Sequence, residues 1–341
     1  MTRVLQCMAG AAHGGAEAFF TRLVAALARA GLEQHAVIRG HPERSETLRR
    51  AGVPVTETRF GGPLDLLSGR LLGREIDAFK PDVVLSWMNR ATRACPPGGY
   101  VHCARLGGYY KLKHYRRCRH LIGNTIGIVD YLVERGWPAE RVHYLPNFVA
   151  GETAPACARA DHDTPEGAPL LLALGRLHEN KGFDVLIEAL GSLPDAYLWL
   201  AGDGPLAGDL VDLAARRGVS GRLRLLGWRD DVAALFAAAD VFICPSRHEP
   251  LGNAVFEAWA QGAPVVATAT AGPAELIDDG VTGLLVPAED AGALAEAVER
   301  LLADRALGAG LAAAGRAAYE AGYSEDTVVR RYLAFFDKVA A

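Results

Sequence analysis

The stretch RHEPLGNAVFEAWAQG, residues 247–262, places two carboxylates around a turn that leads from a strand into a helix. The short apolar run Val-Phe-Ile-Cys just upstream predicts a buried parallel strand, with Asn253 as the N-cap of the helix and Gly262 at its end. Nearly every helix position is apolar, so we expect a buried helix in which the Glu257 carboxylate needs a partner. Glu249 lies in the preceding loop, where helix-terminal amides favour anions. Either glutamate alone suits a structural role, but the two together predict a ligand site.

The length and composition indicate two domains. The chain has 341 residues, half of them hydrophobic, which suits two domains of roughly 100–200 residues, each with its own core. It contains no apolar run near the ~20 residues of a membrane-spanning helix, and we expect no signal peptide because the N-terminal residues enter a strand pattern directly. The six cysteines lack CxxC spacing, so we expect neither a disulfide framework nor a zinc site, and a cytoplasmic location.

The net charge of −4 conceals an asymmetry between the two halves. Residues 1–150 carry 21 Lys and Arg against 12 Asp and Glu, a net of +9, whereas residues 151–341 carry the remaining 15 against 28, a net of −13. Opposite charges predict surfaces with different partners, or two domains that attract each other. A basic first half suits nucleic acid, an anionic membrane or an acidic substrate.

The first half alternates short apolar runs with helical patterns, which predicts βα units and a parallel sheet over residues 1–149. Gly14 and Gly15 belong to a glycine-rich loop between the first predicted strand and an amphipathic helix predicted from Ala18 to Ala30. Such a loop can bind phosphate at the helix N-terminus. The spacing is neither GxGxxG nor that of a P-loop, so by itself the loop is better explained as a tight turn.

Residues 100–108 predict a strand that ends at a glycine turn and carries two candidates for the ligand-binding edge of the sheet, His102 and Arg105. They are three positions apart, so strand alternation puts them on opposite faces, and only one is expected to point into a crevice. A lone histidine is more often structural, and an arginine at the end of a strand is the better anion ligand.

Residues 109–120 contribute much of the basic excess, interleaved with three tyrosines. This pattern suits the headgroup region of a membrane, or stacking and phosphate contacts with nucleic acid, and a solvated helix face explains it equally well. Nothing else in the chain resembles a nucleic-acid-binding module, so we expect no nucleic-acid partner and favour a membrane surface or an anionic acceptor. The candidate residues are Lys111, Lys113, Arg116, Arg117 and Arg119.

Residues 150–168, rich in alanine, proline and polar residues, predict a linker, and a second series of βα units follows over residues 169–322. Asp161 and Asp163 form a DxD pattern within the linker, but its setting indicates coincidence and we expect no metal there.

The first βα loop of the second half carries two cations, Arg176 and Lys181, five residues apart and just before a predicted helix. Arginine supplies a forked donor and lysine a point charge, a pairing suited to a diphosphate.

The motifs of the second half, in their order, resemble glycosyltransferase family 4, whose members are retaining, nucleotide-sugar-dependent enzymes. They are Gly175-Arg176 with Lys181-Gly182, Ala201-Gly202-Asp203-Gly204-Pro205, Gly227-Trp228, ADVFICPS at 239–246, Glu249 and Glu257 with seven residues between them, and Gly272-Pro273-Ala274-Glu275. The first half resembles the family more loosely, through residues 14–17. The resemblance implies the α/β GT-B fold, two Rossmann-like parallel-sheet domains facing each other across a cleft, with a last helix, residues 323–341, that returns to the first domain.

The resemblance also implies roles for single residues. Arg176 and Lys181 would neutralise the diphosphate leaving group, Glu249 would bind the donor sugar, and Glu257 would bind the nucleotide ribose. The family often places a histidine near the reacting sugar, a position for which His102 and Arg105 compete. The remaining donor-binding residues would be Gly14, Gly15, Gly175, Gly202, Gly227, Trp228, Arg229, Leu251, Gly252 and Asn253.

Two positions depart from the common family pattern. Pro250 stands where glycine is frequent, which removes one backbone amide from the loop, and Leu251 stands where an aromatic residue is common.

These observations predict a retaining glycosyltransferase that moves a sugar from a nucleotide diphosphate, expected to be UDP, to a glycan or glycolipid acceptor. The acceptor is expected to belong to lipopolysaccharide or another cell-surface polysaccharide, at the cytoplasmic face of the membrane. No metal or other cofactor is expected. A nucleotide-sugar epimerase of the same fold and a non-catalytic sugar-binding protein are the alternatives; the former would need no acceptor, and the latter would need neither Arg176 nor Lys181.

Overall fold

The computed structural model describes residues 2–12, 14–61, 65–149 and 151–341. His13 of the glycine-rich loop and Ala150, the first residue of the predicted linker, lie outside the described residues, as do Met1 and residues 62–64. The described residues form two compact units: residues 1–147 with 325–341, and residues 148–324.

The first unit is built on a seven-stranded parallel sheet, with strand order β3-β2-β1-β4-β5-β6-β7. Its strands are β1 Arg3–Met8, β2 Glu33–Arg39, β3 Val55–Thr58, β4 Val83–Trp87, β5 Val101–Leu106, β6 His120–Gly123 and β7 Val142–Tyr144. Its helices up to residue 147 are α1 Gly15–Arg29, α2 Pro42–Arg50, α3 Leu66–Phe79, α4 Met88–Ala94 and α5 Ile126–Glu134. Strands β1 to β3 are added toward one edge of the sheet, and strands β4 to β7 toward the other. The strand order therefore reverses between β1 and β4, and the loops after these two strands turn to opposite faces and leave a crevice between them.

The second unit is built on a six-stranded parallel sheet, with strand order β10-β9-β8-β11-β12-β13. Its strands are β8 Leu170–Leu174, β9 Tyr197–Ala201, β10 Leu223–Gly227, β11 Val241–Cys244, β12 Val265–Thr268 and β13 Leu284–Val286. Its helices are α6 Phe183–Gly191, α7 Ala207–Arg216, α8 Val232–Ala238, α9 Asn253–Ala260, α10 Ala271–Leu276, α11 Ala291–Ala303 and α12 Arg305–Gly322. In this sheet the strand order reverses between β8 and β11.

The apolar strands of the second unit are buried on both faces. Leu171 and Ile243 pack into one hydrophobic core, whereas Leu172 and Phe242, one residue away along the same strands, pack into the other. Because helices cover both sides of a parallel sheet, its strands are continuously apolar rather than alternating.

The last helix, α13 Glu325–Ala340, packs within the first unit. Its Glu325 forms an ion pair with Arg29 of α1 at 2.5 Å, and its Asp337 accepts a hydrogen bond from Thr2 at 2.6 Å. Phe336 and Val328 bury its apolar face. Among the described residues, no helix is long and apolar enough to cross a bilayer.

The predicted linker segment packs on the second unit. The Arg159 guanidinium donates to the carbonyl of Ala238 at 2.7 Å and to that of Ala168 at 2.7 Å, and pairs with Asp240 at 3.1 Å. These bonds fix residues 159–168 beside β8 and the end of α8.

The helix predicted from Ala18 to Ala30 begins one turn earlier, at Gly15, and ends at Arg29. The Ala18 amide donates to the Gly14 carbonyl at 2.9 Å, which makes Gly14 the N-cap. The prediction of the start was wrong because the apolar periodicity begins only after the first turn.

Candidate active site

The motif-bearing loops of the second unit all follow the carboxyl ends of its strands. Those after β8 and β11 flank the reversal point of the sheet, where open parallel sheets bind ligands. Lys181 comes from the first of these loops and Glu249 from the second. The topology therefore brings together two residues that are 68 positions apart.

Lys181 and Glu249 form an ion pair. The Lys181 Nζ donates to Glu249 Oε2 at 2.5 Å, and Glu249 Oε1 accepts a longer hydrogen bond from the Gly252 amide at 3.3 Å. Glu249 is only 8% exposed, so its charge needs these partners. Gly175 makes room for the lysine, since a Cβ there would lie 3.3 Å from Lys181 Cε. The family resemblance implies that Lys181 binds the diphosphate of the donor and that Glu249 binds its sugar. In the structure these two side chains contact each other.

Arg247 fastens the two loops to each other. The amides of Arg247 and His248 both donate to the Asn180 carbonyl, at 2.9 and 3.1 Å. The guanidinium forms two 2.7 Å hydrogen bonds with the Asp184 carboxylate and also binds Glu289. The bonds from Arg247 hold the pKa of Asp184 below its usual range. Sequence reasoning missed this residue, because the groups that its guanidinium binds, the Glu179 carbonyl and the Asp184 and Glu289 carboxylates, lie at least 42 positions away in the sequence.

Glycines let the backbones of these loops approach each other. Gly202 has φ +142°, and a Cβ there would stand 1.9 Å from the Gly175 carbonyl oxygen. Its amide donates to the Gly227 carbonyl at 2.7 Å, which ties the ends of β9 and β10 together. Gly272 donates to the Glu249 carbonyl at 2.7 Å, in space that a Cβ would fill. Gly202 and Gly175 thus shape the site through their backbones.

Helix α9 begins at Asn253, and its N-cap is Gly252, in the left-handed conformation with φ +70°. The predicted Asn253 cap is therefore wrong by one residue, because the tight approach of the Gly272 loop requires the positive φ that glycine adopts readily. Glu257 is half-buried rather than buried, and it has a partner in the protein. Leu251, also half-buried, precedes the cap.

Arg176 and the loop after β10 lie near the surface of the second unit. Arg176 is exposed, and no described residue accepts a hydrogen bond from its guanidinium. Trp228 is 77% exposed, with its indole N–H donating to Asp230 at 3.1 Å. The Arg229 guanidinium forms two bonds to Asp231, at 2.7 and 2.5 Å. An exposed indole and an uncompensated guanidinium are both suited to a nucleotide.

Burial raises the pKa of Cys244 to about 11, and the neighbouring Glu249 adds to the effect. The thiol is therefore protonated at neutral pH and is not a nucleophile. Among the described residues, no three histidine, cysteine or acidic side chains come together as metal ligands; Asp161 lies in a short 3-10 turn, Arg159–His162, and Asp163 directly follows it.

The glycine-rich loop of the first unit wraps a carboxylate. Glu17 accepts a 2.7 Å hydrogen bond from the Ala11 amide, and a Cβ at Gly14 would stand 2.3 Å from its Oε2. Arg44 donates to the Ala11 carbonyl at 3.0 Å from the other side. A Cβ at Gly15 would meet no described atom within 4 Å. Gly14 is thus explained by packing, whereas Gly15 leaves the start of α1 open.

His102 is buried within the first unit. Its Nε2 lies 2.9 Å from the Ser86 hydroxyl, and Cys118 Sγ lies 3.8 Å from the ring. Burial, with a contribution from Arg117, lowers the pKa of His102 to about 4. The imidazole is therefore neutral at pH 7.

Arg105 is also buried, on the opposite face of β5. Its guanidinium donates to the Tyr332 hydroxyl at 2.9 Å and to Asn147 at 2.5 Å, and it lies 4.7 Å from the ring centroids of both Phe19 and Trp87. These contacts fasten α13 to the sheet. The role of either residue at a reacting sugar stays a prediction.

The five candidate cations of residues 109–120 are all exposed. Of the three tyrosines interleaved with them, Tyr115 is only 1% exposed and belongs to the core of the first unit. Tyr109 and Tyr110 are 58% and 38% exposed, and Tyr109 packs edge-on against Tyr131.

Comparison with known proteins identifies relatives of both halves. Residues 13–152 match the family described as Glycosyltransferase Family 4, and residues 168–304 match Glycosyl transferases group 1. The chain is 40% identical over 329 residues, 94% of this chain and 95% of its relative, to lipopolysaccharide core biosynthesis glycosyltransferase LpsE of Rhizobium meliloti strain 1021.

Solved structures share the fold at low identity. A glycosyltransferase from Rickettsia africae ESF-5 has a TM-score of 0.87 at 20% identity, covering 99% of this chain and 98% of its own. Anabaena Alr3699/HepE, solved in complex with UDP, has a TM-score of 0.84 at 20% identity, covering 99% and 100%.

Proposed function

The chain belongs to glycosyltransferase family 4 and has the GT-B fold, and on this premise we propose that it transfers a sugar from a UDP-sugar to a glycan of the lipopolysaccharide core. The donor proposal is supported by the UDP complex of Alr3699/HepE, and the acceptor proposal by the name of LpsE. The observation that carries the proposal is the Lys181–Glu249 pair at the reversal point of the second sheet.

In the proposed reaction, the acceptor hydroxyl oxygen bonds to the anomeric carbon as the bond from that carbon to the diphosphate oxygen breaks. The hydroxyl proton passes to the released diphosphate or to water, so the products are a glycoside, UDP and a proton. Negative charge grows on the leaving diphosphate. Arg176, which has no described partner, and Lys181 would neutralise that charge.

Glu249 serves two purposes in this proposal. Its carboxylate holds the Lys181 ammonium in place before the donor arrives, and its oxygens can accept hydrogen bonds from sugar hydroxyls. Glu257, half-buried on α9, would accept hydrogen bonds from the ribose hydroxyls. Trp228 and Arg229 would lie along the base, and Leu251, Gly252 and Asn253 along the sugar and phosphates.

The test is incubation of the protein with UDP-, GDP- and ADP-sugars, with and without deacylated lipopolysaccharide core acceptor. Acceptor-dependent release of UDP, with retention of the anomeric configuration in the product, is the expected result. An isomerised nucleotide sugar formed without acceptor, or no release with any donor, would contradict the proposal. Thermal stabilisation by UDP but not by GDP or ADP would support the choice of nucleotide independently of the acceptor.

We further propose that the first unit contacts an anionic membrane or acceptor through Lys111, Lys113, Arg116, Arg117 and Arg119, at the cytoplasmic face of the membrane. The exposure of these five cations supports the proposal. Replacing Lys111, Lys113, Arg116 and Arg117 together with alanine should abolish binding to vesicles that contain phosphatidylglycerol. Unchanged vesicle binding would contradict it.

A further inference from the structure

Two separate segments of the first unit line one cavity of about 410 Å³ with cations. Arg93 comes from α4, whereas Lys113, Arg116 and Arg117 come from the loop after β5. Thr92 and His114 complete the lining, which contains no carboxylate. None of the four cations pairs with an acidic side chain in the described part of the chain. The cavity therefore gathers at least four positive charges without internal compensation.

Buried side chains fix the walls of this cavity. Tyr115, between the lining residues of the loop, is buried, and its hydroxyl donates to Asn89 of α4. Cys118, also buried, donates its amide to the Tyr115 carbonyl at 2.8 Å. Thr92 is 2% exposed and donates to the Met88 carbonyl at 3.1 Å. The loop and the helix are thus held against each other by the fold, and the cations project from a fixed frame.

The positive field extends to the neighbouring imidazoles. The pKa of His114 is lowered, by desolvation first and then by Lys113 and Arg93. Arg117 adds to the lowering of the His102 pKa by burial. The four cations that line the cavity repel one another, and a bound anion would relieve that repulsion.

The size of the cavity suits a ligand. Its walls are the second half of α4 and the segment that leads into β6. The volume lies within the range of ligand sites, about 300–1,000 Å³, and so admits more than a bare ion.

We propose that this cavity is a phosphate-binding site. Three guanidinium groups can each donate two parallel hydrogen bonds to a phosphate, and Lys113 supplies a compact charge. Given the glycosyl-transfer function proposed above, on which this step rests, the phosphate is a substituent of the acceptor glycan. The site thereby selects phosphorylated acceptors.

A phosphate site and a general attraction to anionic surfaces depend on different residues. Arg93 lines the cavity although it lies outside the basic segment of residues 109–120, whereas Arg70, on α3 of the same unit, does not line it. Both side chains are exposed cations. Arg93→Gln and Arg70→Gln therefore remove the same charge from the unit, one inside the cavity and one outside.

The experiment titrates the full chain with inorganic phosphate, with glucose 6-phosphate and with phosphatidylglycerol vesicles, following the His114 ring signals by NMR. Saturable binding of both soluble phosphates should raise the His114 pKa, because an anion stabilises the imidazolium. Arg93→Gln should weaken this binding about tenfold and Arg70→Gln less than about twofold. Arg117→Gln repeats the test should Arg93→Gln lose its far-UV circular dichroism.

Equal weakening by the two variants, or binding of vesicles without binding of soluble phosphate, would overturn the proposal. The titration requires no donor and no turnover, so its failure leaves the transfer assay unaffected. Conversely, absence of transfer with intact phosphate binding would count against the proposed function alone. Faster transfer to a phosphorylated core acceptor than to its dephosphorylated form, with the difference lost in Arg93→Gln, would identify the acceptor as the source of the phosphate.

Discussion

The ammonium of Lys181 lies 2.5 Å from the carboxylate of Glu249, at the point where the strand order of the second parallel sheet reverses. Each residue follows a different strand, and Gly175 leaves space for the lysine, since a Cβ there would lie 3.3 Å from Lys181 Cε. The pair is partly buried, with side-chain exposures of 26% and 10%. It can therefore hold a charge in position for a ligand more firmly than a solvated surface pair can.

Arg247 is expected to position this pair. Arg247→Met removes its bonds to Asp184 and Glu289, so the loop that carries Glu249 should shift against the loop that carries Lys181. We expect a loss of about 1–2 kcal/mol in the free energy of unfolding, and a fall of about tenfold in kcat with a smaller change in donor KM. Steady-state kinetics and urea denaturation measure the two effects.

Arg217→Met is the matched control, because Arg217 forms a 2.5 Å ion pair with Glu188 elsewhere in the same unit. It should lower stability slightly and leave kcat unchanged. Arg247→Lys, which keeps the charge but not the fork, should recover part of kcat. A kcat for Arg247→Met equal to that of wild type would remove the positioning role.

Glu257 is expected to act in nucleotide binding rather than in the chemical step. Loss of a carboxylate that accepts ribose hydroxyl bonds should weaken UDP binding by about tenfold in Glu257→Gln, while kcat at saturating donor changes little. Isothermal titration with UDP measures the affinity. Glu299→Gln, an exposed glutamate on α11, provides the comparison and should bind UDP as wild type does. Equal affinities for all three proteins would contradict the assignment.

The sequence was sufficient to predict the two series of βα units, because continuous apolar strands and their loops are local patterns. It was also sufficient to single out Lys181 and Glu249 as candidate site residues, since each belongs to a motif at the end of a strand. The sequence could not predict their ion pair, because contact between them depends on which strands are neighbours. The role of Arg247 could not be predicted for the same reason, since its partners Asp184 and Glu289 are distant in the sequence and meet it only in the folded chain.

Two further differences between sequence pattern and structure concern single residues. Asn253 is a better N-cap than glycine by side chain, but the closeness of the Gly272 loop demands the left-handed backbone of Gly252. Tyr115 belongs to a pattern that resembles a surface, yet its ring is buried and only the cations around it face outward. Local propensity yields to packing at both positions.

His102 should make stability depend on pH. Burial lowers its pKa to about 4, whereas the unfolded residue titrates near 6.5. Between these values the unfolded chain binds the proton and the folded chain does not, so stability falls as pH drops through this window. The loss from this residue amounts to about 2 kcal/mol between pH 7 and pH 5.

His102→Asn should therefore show a smaller drop in unfolding free energy between pH 7 and pH 5 than wild type, by urea denaturation at both values. His178→Asn, which changes an exposed histidine, should retain the full drop. If wild type and His102→Asn lose equal stability over this range, the imidazole is not held neutral by burial.

The most direct test of the central claim is the turnover of Lys181→Ala with the UDP-sugar that the donor panel selects. Removing the cation that stabilises the leaving diphosphate should lower kcat by about 100-fold or more, while UDP affinity falls much less and circular dichroism shows an intact fold. Lys338→Ala, an exposed lysine on α13, should leave kcat unchanged. A wild-type kcat in Lys181→Ala would contradict the assignment of the Lys181–Glu249 pair to the reacting end of the donor.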